Sequence, residues 1–332
     1  EAYINTAKRL ADCGFDGVEL HGAHGYLITQ FLSAASNIRD DEFGGDTVSR
    51  TLFIRNIAQG IKEACGKNFI VGLKMPADEG VEGGVDPNEA EQITGLLSAT
   101  NNFDYFSYGQ GNFSLSLENH VPDLYFREGH FIDLHKRMRS AANGVPVMAL
   151  GRIGTAQLAE DVIGNGNADL VGMSRALITD AALPKKAQLG DVKDIRPCVF
   201  DNFSWGEIHL GKPLTEHHNP YLGKRNEAFF KLSTAEFSKR VVVAGSGPAG
   251  LEVAWVAAAR GHGVTLFSAS PDLGGGLMTE SVLPGRSDMA QIINHQVHLG
   301  NTYGVEYVLN HKVTRSDVAE FGADTLVLAT GS

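Results

Sequence analysis

The sequence predicts an α/β protein of two domains, each built on parallel strands joined by helical crossovers. Three observations predict it. Short apolar runs alternate with amphipathic stretches from residue 1 to about 190. A Gly-x-Gly-x-x-Gly motif at Gly245, Gly247 and Gly250 then opens a new strand–turn–helix unit. At roughly 150 residues per domain, the length of 332 accommodates two such units.

Taken in order, a helical pattern over 1–13 leads to a strand over 16–21, Asp-Gly-Val-Glu-Leu-His. Helical patterns at 48–65, 87–99, 130–142 and 155–164 precede strands at 69–75, 103–108, 145–150 and 169–173, and a last helix follows 180. Each strand ends in polar or glycine residues. In a closed (β/α)8 barrel those ends form the active face, and in an open doubly wound sheet ligands gather at the same ends. Periodicity does not choose between the two. Residues 196–236 lack periodicity and contain Pro197, Pro213, Pro220 and the pair His217-His218, which makes them a connector. The expected domains are therefore 1–195, a connector 196–236, and a nucleotide domain 237–332.

Composition narrows the function. Net charge is −11, which disfavours a nucleic-acid partner. No apolar run reaches the length of a membrane span, and no segment reads as a signal peptide. Cys13, Cys65 and Cys198 form no Cys-x-x-Cys, which suggests reduced thiols and a cytoplasmic enzyme. Glycine is high, 39 of 332 residues, as suits a protein rich in tight turns and phosphate-cradling loops. The chain opens on Glu1 inside a helical pattern and closes just after a strand-like run, so it reads as a piece of a longer chain.

Around the glycine motif, Val241–Ala244 reads as a buried strand, Leu251–Arg260 as a helix and Val264–Phe267 as the next strand. Gly245 allows the tight turn, Gly247 the approach of a pyrophosphate, and Gly250 close helix–strand packing. The helix N-terminus adds N–H donors and partial positive charge. An acid is expected after the second strand to hold the ribose. Ser268 stands there, still able to hydrogen-bond but less repulsive to a 2′-phosphate.

The run Gly14-Phe-Asp-Gly-Val-Glu-Leu-His21-Gly-Ala-His24-Gly-Tyr26, followed by Asn37-x-Arg39, Gly44-Gly45 and Arg50, resembles the Old Yellow Enzyme superfamily of NADH:flavin oxidoreductases. The fused nucleotide domain makes it similar to the long members, such as 2,4-dienoyl-CoA reductase and trimethylamine dehydrogenase. The resemblance implies the C-terminal part of a TIM barrel, lacking its first three βα units, followed by a Rossmann-like FAD/NAD(P)-binding domain. It implies FMN in the barrel, FAD or ADP on the glycine motif, and NAD(P)H as electron donor. By the same resemblance His21 and His24 hold a substrate oxygen and Tyr26 donates a proton. Lys74 stands where the family has an arginine beside the flavin. Gly151-Arg152 and Ser174-Arg175 match its phosphate loops. Partners are then a small-molecule substrate and a nicotinamide or electron carrier, with room for a homo-oligomer.

Departures from the family carry information too. The segment Tyr105–Phe113 lacks both the histidine expected near Phe113 in dienoyl-CoA reductases and the aspartate expected near Tyr108 in trimethylamine dehydrogenases. His120 and Asp123 are weaker candidates for a polar group at the site. The [4Fe–4S] motif keeps only Cys198, with Asp201, Ser204 and Glu216 or His217 in the other positions, so the resemblance implies no cluster. Cys198, Asp201, Glu216, His217 and His218 remain a minor alternative for another metal, and no metal site is assigned. The expected activity is reduction of an activated C=C bond. The alternatives are oxidative N-demethylation of methylated amines, with Tyr105, Phe106, Tyr108 and Phe113 around an alkylammonium, and a degenerate flavoprotein.

Overall fold

The computed structural model describes residues 1–229 and 231–331; Phe230 of the expected connector and Ser332 at the end of the expected nucleotide domain lie outside them. The chain divides into two compact units between Met173 and Ser174.

In the first unit, strands β1 (Gly17–His21), β2 (Ile70–Asp78), β3 (Tyr105–Gln110), β4 (Val147–Ala149) and β5 (Leu170–Val171) form one parallel sheet in sequence order. A doubly wound sheet reverses strand order at a switch point. This one does not, which favours successive barrel strands over an open Rossmann-type sheet. Strand parity divides the chemistry. Leu20, Leu73, Phe106 and Val147 share one register row and are buried in the core under the helices. His21, Lys74, Ser107 and Met148 share the next row, on the opposite face.

The helices supply the other half of that core. Helix Leu52–Cys65 buries Ile54, Ile57, Ala58 and Ile61. Helix Pro87–Ser98 buries Ala90, Ile93, Thr94 and Leu97, and starts where the Asp86 carboxylate accepts from the N–H groups of Asn88 and Glu89, both at 2.8 Å. A short helix, Leu27–Leu32, was not legible in the sequence, because six residues are too few to show a helical period.

In the second unit, β6 (Arg240–Ala244), β7 (Gly263–Phe267), β8 (Glu306–Val308) and β9 (Thr325–Leu328) form a parallel sheet in the order β8-β7-β6-β9. The order reverses at β6, so the glycine motif opens at the switch point, where such sheets bind ligands. Residues 174–229 and 231–236 pack within this unit, so the compact division falls earlier than the expected boundary at 195. Buried Arg196 is one reason. Its guanidinium donates to the His218 carbonyl and lies 3.3 Å from Glu252 Oε1 on the helix that follows β6. Among the described residues, no helix is long and apolar enough to cross a membrane.

Candidate active site

Beyond the C-terminal end of β1 the chain makes a tight excursion. His24 holds a positive φ of 65°, unusual for a non-glycine residue. The strain is held from outside: His24 bridges to Asn112, and its carbonyl accepts from the Phe113 N–H at 3.0 Å. A Cβ on Gly109 would lie 2.4 Å from His24 Nε2, so only glycine leaves room for this ring beside β3.

The excursion assembles an aromatic and imidazole cluster. The His21 and His24 rings lie 5.1 Å apart, and Tyr26 is 5.3 Å from His21. Tyr26, 45% exposed, stacks on Phe113 at 5.2 Å with planes within 9°. His24, only 7% exposed, stacks on His120 at 3.7 Å. Burial, then the charges of its neighbours His120, His21 and Lys74, push the His24 pKa down to about 2. Burial, with His21 and Lys74, lowers His120 to about 4, and burial lowers His21 as well. All three rings are therefore neutral near pH 7. Each neutral imidazole keeps one N–H donor and one lone pair, which suits holding a substrate oxygen without a fixed charge.

Sequence reasoning ranked His120 as a minor candidate, yet the structure stacks it directly on His24. The available signal was the lone histidine in the short helix Leu117–His120, and nothing local tied that helix to residue 24. Lys74 stands beside His21 in the register, with Nζ 4.0 Å from Glu19 Oε1. Glu19 Oε2 accepts from the Ser107 hydroxyl at 2.9 Å, so β1, β2 and β3 share one polar patch.

Several residues that carried the family resemblance hold the frame. Asn37 Nδ2 donates to the carbonyls of Phe31 and Phe43, both at 2.7 Å. Buried Arg50 donates to the carbonyls of Leu32 and Gly45 and pairs with Glu89. Together they pin helix Leu27–Leu32, whose N-cap is Tyr26. A Cβ on Gly44 would lie 2.1 Å from the Arg39 carbonyl oxygen, so this turn demands glycine.

The aromatic box weighed for an alkylammonium does not assemble. Phe106 and Tyr108 point to the helix side and are fully buried in the core, Tyr108 bonded to Thr94 at 2.9 Å. Tyr105 lies on the opposite face by strand alternation, and Phe113 stacks on Tyr26.

The cationic loops fall in different compact units. In the first, Gly151 has φ +102° and Arg152 φ +51°; buried Arg152 donates to the Leu124 carbonyl at 3.3 Å. In the second, Ser174 begins helix Ser174–Thr179. Arg175 donates to Asn202 Oδ1 at 2.7 Å and lies 4.7 Å over the Phe200 ring.

At the glycine motif, Gly245 has φ +114°, and a Cβ there would lie 2.1 Å from the Ala329 carbonyl oxygen. A Cβ on Gly250 would lie 2.0 Å from the Gly245 carbonyl oxygen. Gly247 meets nothing within 4 Å and faces a cavity of about 490 Å³, which Ser246, Ser268, Gly275, Lys312 and Thr330 also line. Ser268 directly follows β7, at the cavity wall. The residue is 1% exposed, and its hydroxyl is bonded to Ser246 Oγ at 2.8 Å and accepts from the Ser270 N–H.

The family model described as NADH:flavin oxidoreductase / NADH oxidase matches residues 1–194, and that of pyridine nucleotide-disulphide oxidoreductases matches 239–332. The chain is 34% identical over 334 residues to an NADH oxidase of Thermoanaerobacter brockii, covering 100% of this chain and 51% of that protein. A solved 2-naphthoyl-CoA reductase in complex with 2-naphthoyl-CoA superposes with a TM-score of 0.92 at 29% identity, over 99% of this chain and 50% of that one. Histamine dehydrogenase from Rhizobium sp. 4-9 superposes at 0.91 and 30% identity, over 99% and 48%. The chain thus spans about half the length of the relatives it matches.

Proposed function

The chain belongs to the NADH:flavin oxidoreductase / NADH oxidase family, and on that premise we propose that it serves FMN- and NAD(P)H-dependent reduction of a C=C bond conjugated to a carbonyl. The observation that carries this reading is the cluster of neutral His21 and His24 beside the exposed Tyr26, at the end of β1.

The residues present fit a flavin. Within the first unit, Lys74 on the polar face is the proposed cation for the ring and Gly151-Arg152 the proposed phosphate loop. FMN, when bound, supplies reversible hydride transfer. The protein's own part is different. His21 and His24 donate hydrogen bonds to the carbonyl oxygen of the substrate, where negative charge develops. Tyr26 holds a proton at its hydroxyl for the substrate carbon. Phe113, stacked on Tyr26, fixes that ring's direction. The cavity at Gly247 fits the pyrophosphate of FAD or ADP, because a side chain at that position would fill it. NAD(P)H is the proposed electron donor.

The residues do not fit a [4Fe–4S] cluster. Cys198 is the one cysteine in the segment 196–236, and burial raises its thiol pKa. We place no cluster in the electron path.

The test is anaerobic titration of the full natural protein with NADH and NADPH, following flavin absorbance, then reoxidation by an enone or enoate. Bleaching by a nicotinamide and recovery with the alkene support the reading. Bleaching by methylated amines and not by nicotinamides would overturn it in favour of amine oxidation.

A further inference from the structure

Glu216, His217 and His218 are consecutive, and each offers a ligand atom within 4.8 Å of the others. The side chains of Glu216 and His218 are each 7% exposed. His218 Nε2 lies 2.7 Å from the Pro197 carbonyl oxygen. A carbonyl only accepts, so Nε2 carries the ring proton and Nδ1 bears a lone pair. That Nδ1 stands 2.8 Å from Glu216 Oε1, an ion-pair contact in which neither atom meets hydrogen-bond geometry with any group. Two buried lone pairs facing each other need a positive charge between them.

A proton would satisfy these two atoms alone. The neighbouring donors point to a larger charge. His217 Nδ1 lies 3.2 Å from Asp201 Oδ2 and 3.7 Å from Glu216 Oε1. Metal–ligand bonds of about 2.1 Å set tetrahedral ligand–ligand edges of roughly 3.4 Å; the His217–Glu216 distance of 3.7 Å lies near that value, and the His218–Glu216 distance of 2.8 Å has to open by about 0.6 Å to reach it. Asp201 is presented by a constrained turn. Phe200 and Asn202 both have positive φ, 56° and 59°. Asp201 Oδ1 accepts from the Phe203 N–H at 3.1 Å, while Oδ2 faces His217.

We propose that Glu216, His217 and His218 bind one divalent transition-metal ion of the zinc class, with the Asp201 carboxylate beside His217. Two imidazoles and one carboxylate suit Zn(II), Co(II) or Mn(II), and the nearby Asp201 carboxylate helps to neutralise the ion's charge. The Pro197 carbonyl orients His218 from behind, the usual support of a metal-bound histidine. Three protein ligands leave one tetrahedral position for water, and Asp201, 3.2 Å from His217 Nδ1, adds negative charge beside the ion. The Cys198 thiol is outside the group of converging ligand atoms. This site is independent of the redox reading above, and its test reads binding rather than turnover.

The experiment uses the full, tag-free protein, stripped with chelator and titrated with Co(II) alone, then Zn(II) alone. The expected result is one equivalent of Co(II) per chain with tetrahedral visible bands, displaced by Zn(II). Glu216→Gln and His217→Asn should each weaken binding at least about 10-fold. His217 lies nearer the surface than Glu216, so its variant decides the matter if Glu216→Gln does not fold. Absence of stoichiometric Co(II), unchanged affinity in folded His217→Asn, or iron accompanied by acid-labile sulfide would each overturn the proposal.

Discussion

The His24–His120 stack makes a definite prediction about acid. Two imidazolium rings at 3.7 Å would repel by about 4 kcal/mol at an effective dielectric near 20, so the pair does not charge together. His24, buried and lowered to about 2, stays neutral in the folded state while the unfolded chain takes up a proton near pH 6.5. Its contribution to stability is therefore complete above pH 6.5 and is lost as pH falls toward the folded value. At pH 5, some 1.5 units below the unfolded pKa, the loss from this one group is about 2 kcal/mol. The measurement is urea unfolding at pH 7.5 and pH 5 for the parent and His24→Asn. The parent should lose about 2 kcal/mol more than the variant across this interval. Equal losses in the two proteins, or NMR titration of His24 near 6.5, would refute the claim that burial holds this ring neutral.

Other perturbations separate the parts of the site. Tyr26→Phe should slow alkene reduction by roughly 10²–10⁴ while nicotinamide-driven flavin bleaching is unchanged, as stopped-flow half-reactions would show. Gly109→Ala places a Cβ 2.4 Å from His24 Nε2, so it should cost about 1–3 kcal/mol in unfolding and return the His24 titration toward its ordinary range. Gly245→Ala combines a forbidden φ with backbone overlap at Ala329, and should abolish retention on an ADP affinity resin while FMN content persists. Arg196→Met leaves the Glu252 carboxylate without its cation and should destabilise the second unit by about 3 kcal/mol, with partial recovery in Arg196→Met/Glu252→Gln.

Local rules explain what could be read early. Alternation along Val18-Glu19-Leu20-His21 assigns apolar residues to the helix side and polar ones to the opposite face whatever the rest of the chain does. The glycine motif is equally local, since Gly245 and Gly250 answer to contacts made within one strand–turn–helix and its neighbouring strand. The same parity shows why the alkylammonium box fails: Phe106 and Tyr108 are i and i+2 on the buried face, and Tyr105 is on the other. The resemblance marked Asn37, Gly44 and Arg50 as important but not as frame, because their roles lie in carbonyls of Phe31, Phe43 and Leu32.

By itself, then, the sequence determined the parallel α/β class, the face on which His21 and Lys74 stand, and the glycine turn at Gly245–Gly250. Side-chain period and turn sterics act over a few residues and need no knowledge of distant chain. Only tertiary structure decided that His120 stacks on His24, that Ser268 is bonded to Ser246, and that Arg196 joins the segment after residue 174 to Glu252. Each of those outcomes depends on which buried group comes within a few ångströms. Burial makes an unpaired polar atom costly, so the partner that the fold delivers, however far along the chain, sets the role.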